Sequence, residues 1–372
     1  MKTFFKCLTV GVLSMMLFAA PGFASDTVKV ANAGALSGDL APYGISALRG
    51  VEMAVEDINE QGGILGKNVE LMLGDDVCKP EVAVNVATKL VSDGVQMVVG
   101  HVRSGAIISA KKIYKDANII LISGSATNDD LTLTGDHPNF FRTISNDGAQ
   151  AKLMTAFAKN DLKVKKVALI HDKGDYGKGQ MELAKAEFEK MGDVEIVLFE
   201  GVTTGAVDYT AIVQKIKRSD AELVMWGGYH SDASKIIQLL KKKRVETLFM
   251  GADGIYGDNL PNLAGEFAEG VYATGPNDTS SNPMHQALTK EHQEKYGEDP
   301  GTFFFTGYTC MQSLAAAAEK AGSVEYDAMR AAMFEITVDS PMGPIGFDEK
   351  GDIVGAGFSV YRVTDGKYQQ VN

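Results

Sequence analysis

The sequence predicts an α/β protein built as two doubly wound lobes. Three observations predict it. Strand-like and helix-like segments alternate along most of the chain. The alternation starts afresh near residue 146. The strand at 95–100 is a nearly continuous apolar run, as expected where both sheet faces are covered. Repeated strand–helix units imply parallel sheets with helices on both faces. At 372 residues the chain exceeds the usual single core of roughly 100–200 residues, so two units are expected.

The first series opens with a strand from Val28. Leu48, Val51, Val55 and Ile58 then fall at helical spacing between 43 and 59, and Gly62-Gly63 ends that run. A strand at 69–73 follows, then a helix from Pro80, which suits a first helical turn, to about 91. After the strand at 95–100 come a helix through 107–114 and strands at 119–123 and 139–144. The second series has strands at 167–171, 195–199, 223–226, 248–251 and 271–274. Helices at 179–190, 209–217 and 233–242 separate the first four. The tail has helices at 283–296, 303–321 and 326–334, then strands at 342–347 and 357–363. No flexible linker separates the two series, so residues 144–147 are expected to be a short hinge.

The N-terminus reads as an address. Lys2 and Lys6 precede an apolar run from Leu8 to Ala20, and Gly22-Phe23-Ala24 fits a small-x-small cleavage site. This pattern predicts a secretory signal peptide at 1–24, too short and wrongly flanked for a stable membrane span. Cys7 lies before the apolar run, which does not suit a lipid anchor. Loss of Lys2 and Lys6 takes the formal charge from −12 to −14. So acidic a surface repels phosphate backbones and anionic lipid, which excludes nucleic acid and membrane surfaces as expected partners. Three cysteines are too few for a disulfide-dense scaffold.

In open parallel sheets, ligands bind beyond the C-terminal strand ends. The residues there are 100–105, 123–127, 171–176, 227–230 and 251–254, rich in Gly, Ser, Thr and Tyr with one buriable acid, Asp253. That set suits a small zwitterion. Ser104, Thr127 and helix-terminal N–H groups would take a carboxylate. Asp253, a Thr hydroxyl and a carbonyl would take an ammonium. Tyr43, Tyr176, Tyr229 and Phe303 could wall the remainder. The bland reading of the same residues is a helix cap and strand-end turns. Enzyme signals are weak: there is no phosphate loop, no Gly-x-Ser-x-Gly elbow, and no dinucleotide spacing in Gly174–Gly179. His101, His171 and His230 all sit at strand ends, but no pair has helical ligand spacing, so packing roles are expected and no metal or cofactor.

The chain resembles the periplasmic leucine/isoleucine/valine-binding proteins that feed ABC transporters, from about Val28 to Val363. The landmarks are Ala35-Leu36-Ser37-Gly38-Asp39-Leu40-Ala41-Pro42-Tyr43-Gly44, Asp57-Ile58-Asn59-Glu60-Gln61-Gly62-Gly63-Ile64 and Asp75-Asp76-Val77-Cys78. Gly100-His101, His171-Asp172-Lys173 with Tyr176-Gly177, Gly227-Gly228-Tyr229-His230, and Met342-Gly343-Pro344 with Asp348–Asp352 complete them. The resemblance implies the type I periplasmic binding protein fold, two lobes joined by a three-crossing hinge. The N-terminal lobe would be 26–145 plus 277–355, and the C-terminal lobe 146–276 plus 356–372. It also implies roles. Ser104 and groups at Thr127 would hold a ligand carboxylate. The Ser125 carbonyl, Thr127 and Asp253 would hold an ammonium, with Tyr229 completing the head-group site. Tyr43, Val102, Tyr176 and Phe303 match side-chain pocket positions.

Two departures from the family pattern stand out. Its usual acid at the Asp253 position is Glu, one methylene longer. Its usual Cys before the binding Ser is Arg103 here, which leaves Cys78 without that partner, so no such disulfide is expected. Arg103 has two readings. Pointing into the cleft, it favours a polar or acidic ligand; pointing outward, it is a solvated charge and the ligand stays aliphatic.

The expected function is capture of a free amino acid by a monomeric, periplasmic, non-enzymatic protein, and delivery to a membrane-embedded ABC permease. A branched aliphatic side chain is favoured, with polar or acidic ones left open. The rivals are a non-amino-acid ligand such as an aromatic acid, urea or amide, a ligand sensor, and a secreted hydrolase using Ser104 with His101 or His230.

Overall fold

The computed structural model describes residues 27–371. The expected signal peptide lies outside these residues.

The chain begins with β1 (Val28–Gly34), α1 (Ala41–Glu60), β2 (Val69–Asp75), α2 (Pro80–Ser92), β3 (Met97–Gly100), α3 (Ser104–Asp116), β4 (Ile120–Ser123) and β5 (Phe140–Arg142). These strands form one parallel sheet in the order β2-β1-β3-β4-β5. Order reverses between β1 and β3, which places a crevice at the C-terminal ends of those strands. All of β3 and β4 is buried, because helices cover both faces. On one face Ala106, Ile107 and Ala110 of α3 pack with Ala83 and Ala87 of α2.

The second series is α4 (Asp147–Asn160), β6 (Lys166–His171), α5 (Asp175–Met191), β7 (Glu195–Gly201), α6 (Thr210–Ser219), β8 (Leu223–Gly227), α7 (His230–Lys242), β9 (Leu248–Gly251), α8 (Asn259–Ala264) and β10 (Tyr272–Pro276). The tail supplies α9 (Pro283–Tyr296), α10 (Phe304–Ala321), α11 (Tyr326–Met333), β11 (Val338–Ser340), β12 (Gly343–Phe347), β13 (Ile353–Val354), β14 (Phe358–Thr364) and β15 (Lys367–Gln370). The second large sheet runs β15-β14-β10-β9-β8-β6-β7. β14 joins it antiparallel to β10, with Thr274 opposite Val360.

The tail is shared between the two sheets. Helices α10 and α11 bury Met311, Leu314, Met329 and Met333 against the first sheet, with Val30, Val99 and Ile122 beneath them. Gly50 lets α1 and α10 touch: a Cβ there would sit 2.1 Å from the Phe304 carbonyl oxygen. β11, β12 and β13 form a small antiparallel sheet on the same lobe. The chain therefore passes between lobes around residues 143–147, 277–282 and 355–357. Ser145 donates to the Ala356 carbonyl at 3.2 Å, tying two of these passages together.

Most elements lie within a few residues of expectation. Five were not expected: the short α8, β11, β13 and β15, and the long α4. α4 fills 147–160, directly after the hinge, with Asn146 capping it by accepting from the Ala149 N–H. The strand expected at 139–144 is correspondingly shorter.

Candidate functional site

The loops at the ends of β3 and β4 are fixed from below. Arg142 is fully buried and pairs with Asp352 at 2.6 Å. Its Nη1 donates to the carbonyls of Thr127 at 2.7 Å and Asn128 at 3.0 Å. A guanidinium with a paired charge and several satisfied donors makes this burial tolerable. It holds the 125–128 loop against the sheet. His101 plays a related part under the β3 end. Its Nδ1 meets Asp76 at 2.5 Å and its Nε2 meets the Tyr114 hydroxyl at 3.0 Å. Asp76 also accepts from the Cys78 N–H at 2.7 Å.

The loops present the first-lobe candidates. Ser104 is the first residue of α3 and its buried hydroxyl accepts from Asn128 N–H at 3.3 Å. Ser125 donates to the Val102 carbonyl at 2.9 Å. Tyr43 of α1 packs against Phe303, ring centroids 5.5 Å apart. Tyr43, Val102 and Phe303 share one apolar cluster with Ala35, Ala47, Cys78 and Ile144.

The second lobe closes onto this surface. Tyr176, near the start of α5, donates to Asp253 Oδ1 at 2.7 Å and accepts from Gly254 N–H at 2.9 Å. Tyr229 caps the start of α7 and lies 5.3 Å from Tyr176 and 6.3 Å from Tyr43, centroid to centroid. Tyr43 Oη donates across the cleft to the Gly254 carbonyl at 2.8 Å. His230 Nδ1 lies 2.7 Å from Tyr43 Oη and, since that hydroxyl's proton goes to Gly254, is the donor there. Burial lowers the His230 pKa, which keeps the ring neutral.

All ten expected site residues thus belong to one interlobe contact network. A separate cavity of about 1090 Å³ lies beside the hinge passages, and none of the ten lines it.

Sequence reasoning missed the acid beside them. Asp147 opens α4 and is fully buried, and its N–H donates to the Thr127 carbonyl at 2.8 Å. With its amide nitrogen facing the acid, Gln180 donates to Asp147 Oδ1 at 3.1 Å. Thr127 approaches Asp147, and Gln150 approaches Asp253. Yet Thr127 Oγ1, Asp147 Oδ2 and both Gln150 amide atoms make no well-formed hydrogen bond among the described residues. Burial, then the charge of Asp253, raises the Asp147 pKa well above the usual carboxylate range. Burial pushes Asp253 up to about 6, against the Tyr176 hydrogen bond that favours its charge. Two carboxyls and unsatisfied polar atoms thus adjoin an apolar wall, chemistry that suits a cationic, hydrogen-bonding group beside an apolar one.

Arg103 neither projects freely into the cleft nor into solvent. Its Nη2 donates to Asp172 Oδ2 at 3.2 Å, and its guanidinium carbon stands 5.0 Å from the Tyr229 ring centre. Cys78 and Cys310 are free, buried thiols. Burial pushes each up to about 12.

Two α/β lobes thus meet over a set of buried polar groups. The model of the periplasmic binding protein family matches residues 27–367, and the chain belongs to that family. It is 36% identical over 344 residues to the leucine-, isoleucine-, valine-, threonine- and alanine-binding protein of Pseudomonas aeruginosa, covering 92% of each chain. It is 35% identical to the Leu/Ile/Val-binding protein of Escherichia coli, covering 96% of this chain and 95% of that one. Among solved structures, the branched-chain amino acid transporter substrate binding protein LivJ of Streptococcus pneumoniae, in complex with isoleucine, superposes with a TM-score of 0.83. The two share 28% identity, covering 93% of this chain and 99% of that one. The leucine binding protein LivK of Thermotoga maritima superposes with a TM-score of 0.86 at 23% identity, covering 93% and 98%, a likeness of fold.

Proposed function

We propose that the protein captures a free branched-chain amino acid between its lobes and delivers it to an ABC permease. The observation that carries this reading is the meeting, across the cleft, of a buried acidic pole and an apolar wall. Asp253, Thr127, Tyr176 and the Ser125 carbonyl take the ammonium. Ser104, the start of α3 and Thr127 N–H take the carboxylate, and Tyr229 closes over the head group. Tyr43, Val102 and Phe303 surround an aliphatic side chain, while Arg103 is engaged by Asp172 and Tyr229. Names of relatives at 35–36% identity support the same ligand class.

Residues 26–145 plus 277–355 move as one lobe, and 146–276 plus 356–372 as the other. A ligand that touches both binds the closed form better, and that difference drives closure. Among the described residues, His230 is bonded to Tyr43 and Ser104 to the Asn128 N–H, so the two are not paired as base and nucleophile. The protein acts as a monomer in the periplasm after removal of its leader.

Native mass spectrometry of freshly purified protein, followed by calorimetry with leucine, isoleucine and valine, tests this. A bound mass matching one of these, and micromolar or tighter affinity, is the expected result. Binding of an aromatic acid or urea, and of no amino acid, overturns it.

A further inference from the structure

We propose that Arg103 is an interlobe clamp: a positioning residue that holds the closed form by pairing with Asp172, independently of the ligand. The inference rests on the amino-acid-binding reading only for its affinity readout. Arg103 stands immediately before α3 in the first lobe, and Asp172 follows β6 in the second. Their ion pair, and the stacking of the guanidinium on Tyr229, exist only when the lobes are together. Asp172 is itself preset, since its Oδ1 accepts from the Gly174 N–H at 2.8 Å.

The same seam carries further contacts. Asn128 Nδ2 donates to the Asp175 carbonyl at 2.9 Å. A Cβ on Gly105 would sit 2.6 Å from Asp175 Oδ2, so that acid lies against the first turn of α3. A carboxylate at a helix N-terminus is favourable. Closure therefore sets Asp172 and Asp175 of one lobe against Arg103 and the positive end of α3 on the other. In the open form these groups separate into water, so their attraction counts toward the closed form alone. Apparent ligand affinity scales with the fraction of competent protein.

Gly174 supplies a way to break the clamp without removing either charge. A Cβ there would lie 2.5 Å from Arg103 Nη2 and 3.1 Å from Asp172 Oδ1, wedged into the pair, and the backbone at φ −73° accepts any residue. Gly174→Ala therefore displaces the guanidinium.

The experiment compares wild type with R103Q, D172N, G174A and the R103Q/D172N double variant, using full mature protein and leucine as the probe. Each single variant is expected to raise the leucine Kd about 5- to 20-fold, the double variant no more than the larger single. The wild-type Kd weakens between about 20 mM and about 500 mM NaCl, and this salt dependence flattens in all variants. The leucine:isoleucine:valine ranking stays the same. X-ray scattering of ligand-free protein shows R103Q more open than wild type. Unchanged Kd and salt profile overturn the proposal, as does a changed ligand ranking, which makes Arg103 a ligand contact. If wild type ignores leucine, the amino-acid reading fails; the scattering comparison still decides the clamp, and identical profiles sink it.

Discussion

Tyr176 Oη donates to Asp253 Oδ1 at 2.7 Å and receives the Gly254 N–H at 2.9 Å, so one hydroxyl fixes both the acid and the turn that carries it. Even so, burial dominates, and the acid titrates near 6. An acid raised by about two units disfavours the folded, charged state by about 3 kcal/mol at neutral pH. The Asp253→Asn variant keeps the shape and removes that charge. It should abolish leucine binding, read by calorimetry, while raising the melting temperature of ligand-free protein. Retained affinity removes Asp253 from the ammonium site; a lower melting temperature contradicts the burial argument.

The same carboxyl sets a pH dependence. Its folded-state pKa is raised above the unfolded value, so the folded state holds this proton more tightly. The destabilising contribution is complete above about 6 and disappears below the ordinary value of 3.8. Ligand affinity runs the other way, because the ammonium needs the charged acid. Leucine Kd should weaken steadily as the pH falls through about 6, where the Asp253 carboxyl takes up its proton. A flat profile down to pH 5 sinks this assignment.

Asp147 gives a sharper reading. Burial, then the charge of Asp253, raises its pKa and so favours the neutral carboxyl. An ammonium placed between the two lowers both pKa values, so binding should be accompanied by proton release. Calorimetry in phosphate and in Tris, whose ionisation enthalpies differ, measures that release directly. Asp147→Asn should remove most of it and weaken leucine binding about tenfold or more. Equal binding enthalpies in the two buffers for wild type exclude the coupling.

Why Asp147 escaped the sequence is instructive. Strand ends were legible because alternating strands and helices fix a parallel sheet, and a parallel sheet fixes where ligands sit. That logic reached Ser104, Thr127, Tyr176, Tyr229 and Asp253. It needs each helix to be recognised, and α4 buries Gln150 and Thr155 among its apolar residues, which blurs the stripe. The signals were Asn146 as cap and Ala151, Met154, Phe157 and Ala158 at helical spacing. The short strands β11, β13 and β15 escaped for another reason: two to four residues carry no period, and tertiary pairing makes them. The partner of Arg103 was beyond reach, since Asp172 lies 69 residues away in the other lobe.

Tyr43 tests closure from the apolar side. Its hydroxyl is the one polar atom the residue brings to its apolar cluster, and it spends both bonds on the opposite lobe, giving to Gly254 and taking from His230. Tyr43→Phe keeps the ring that packs on Phe303 and deletes only those bonds. In the closed form it leaves the His230 N–H without its acceptor, a loss of about 1–2 kcal/mol that the open form does not suffer. Leucine Kd should rise about 5- to 30-fold, while the thermal stability of ligand-free protein changes little because the lobe cores are untouched. Tyr43→Leu removes the ring as well and should shift preference among leucine, isoleucine and valine. If Phe and Leu variants behave alike, the hydroxyl carries the whole effect and the ring is not part of the side-chain wall. If Phe matches wild type, Tyr43 contributes to the pocket through its ring alone.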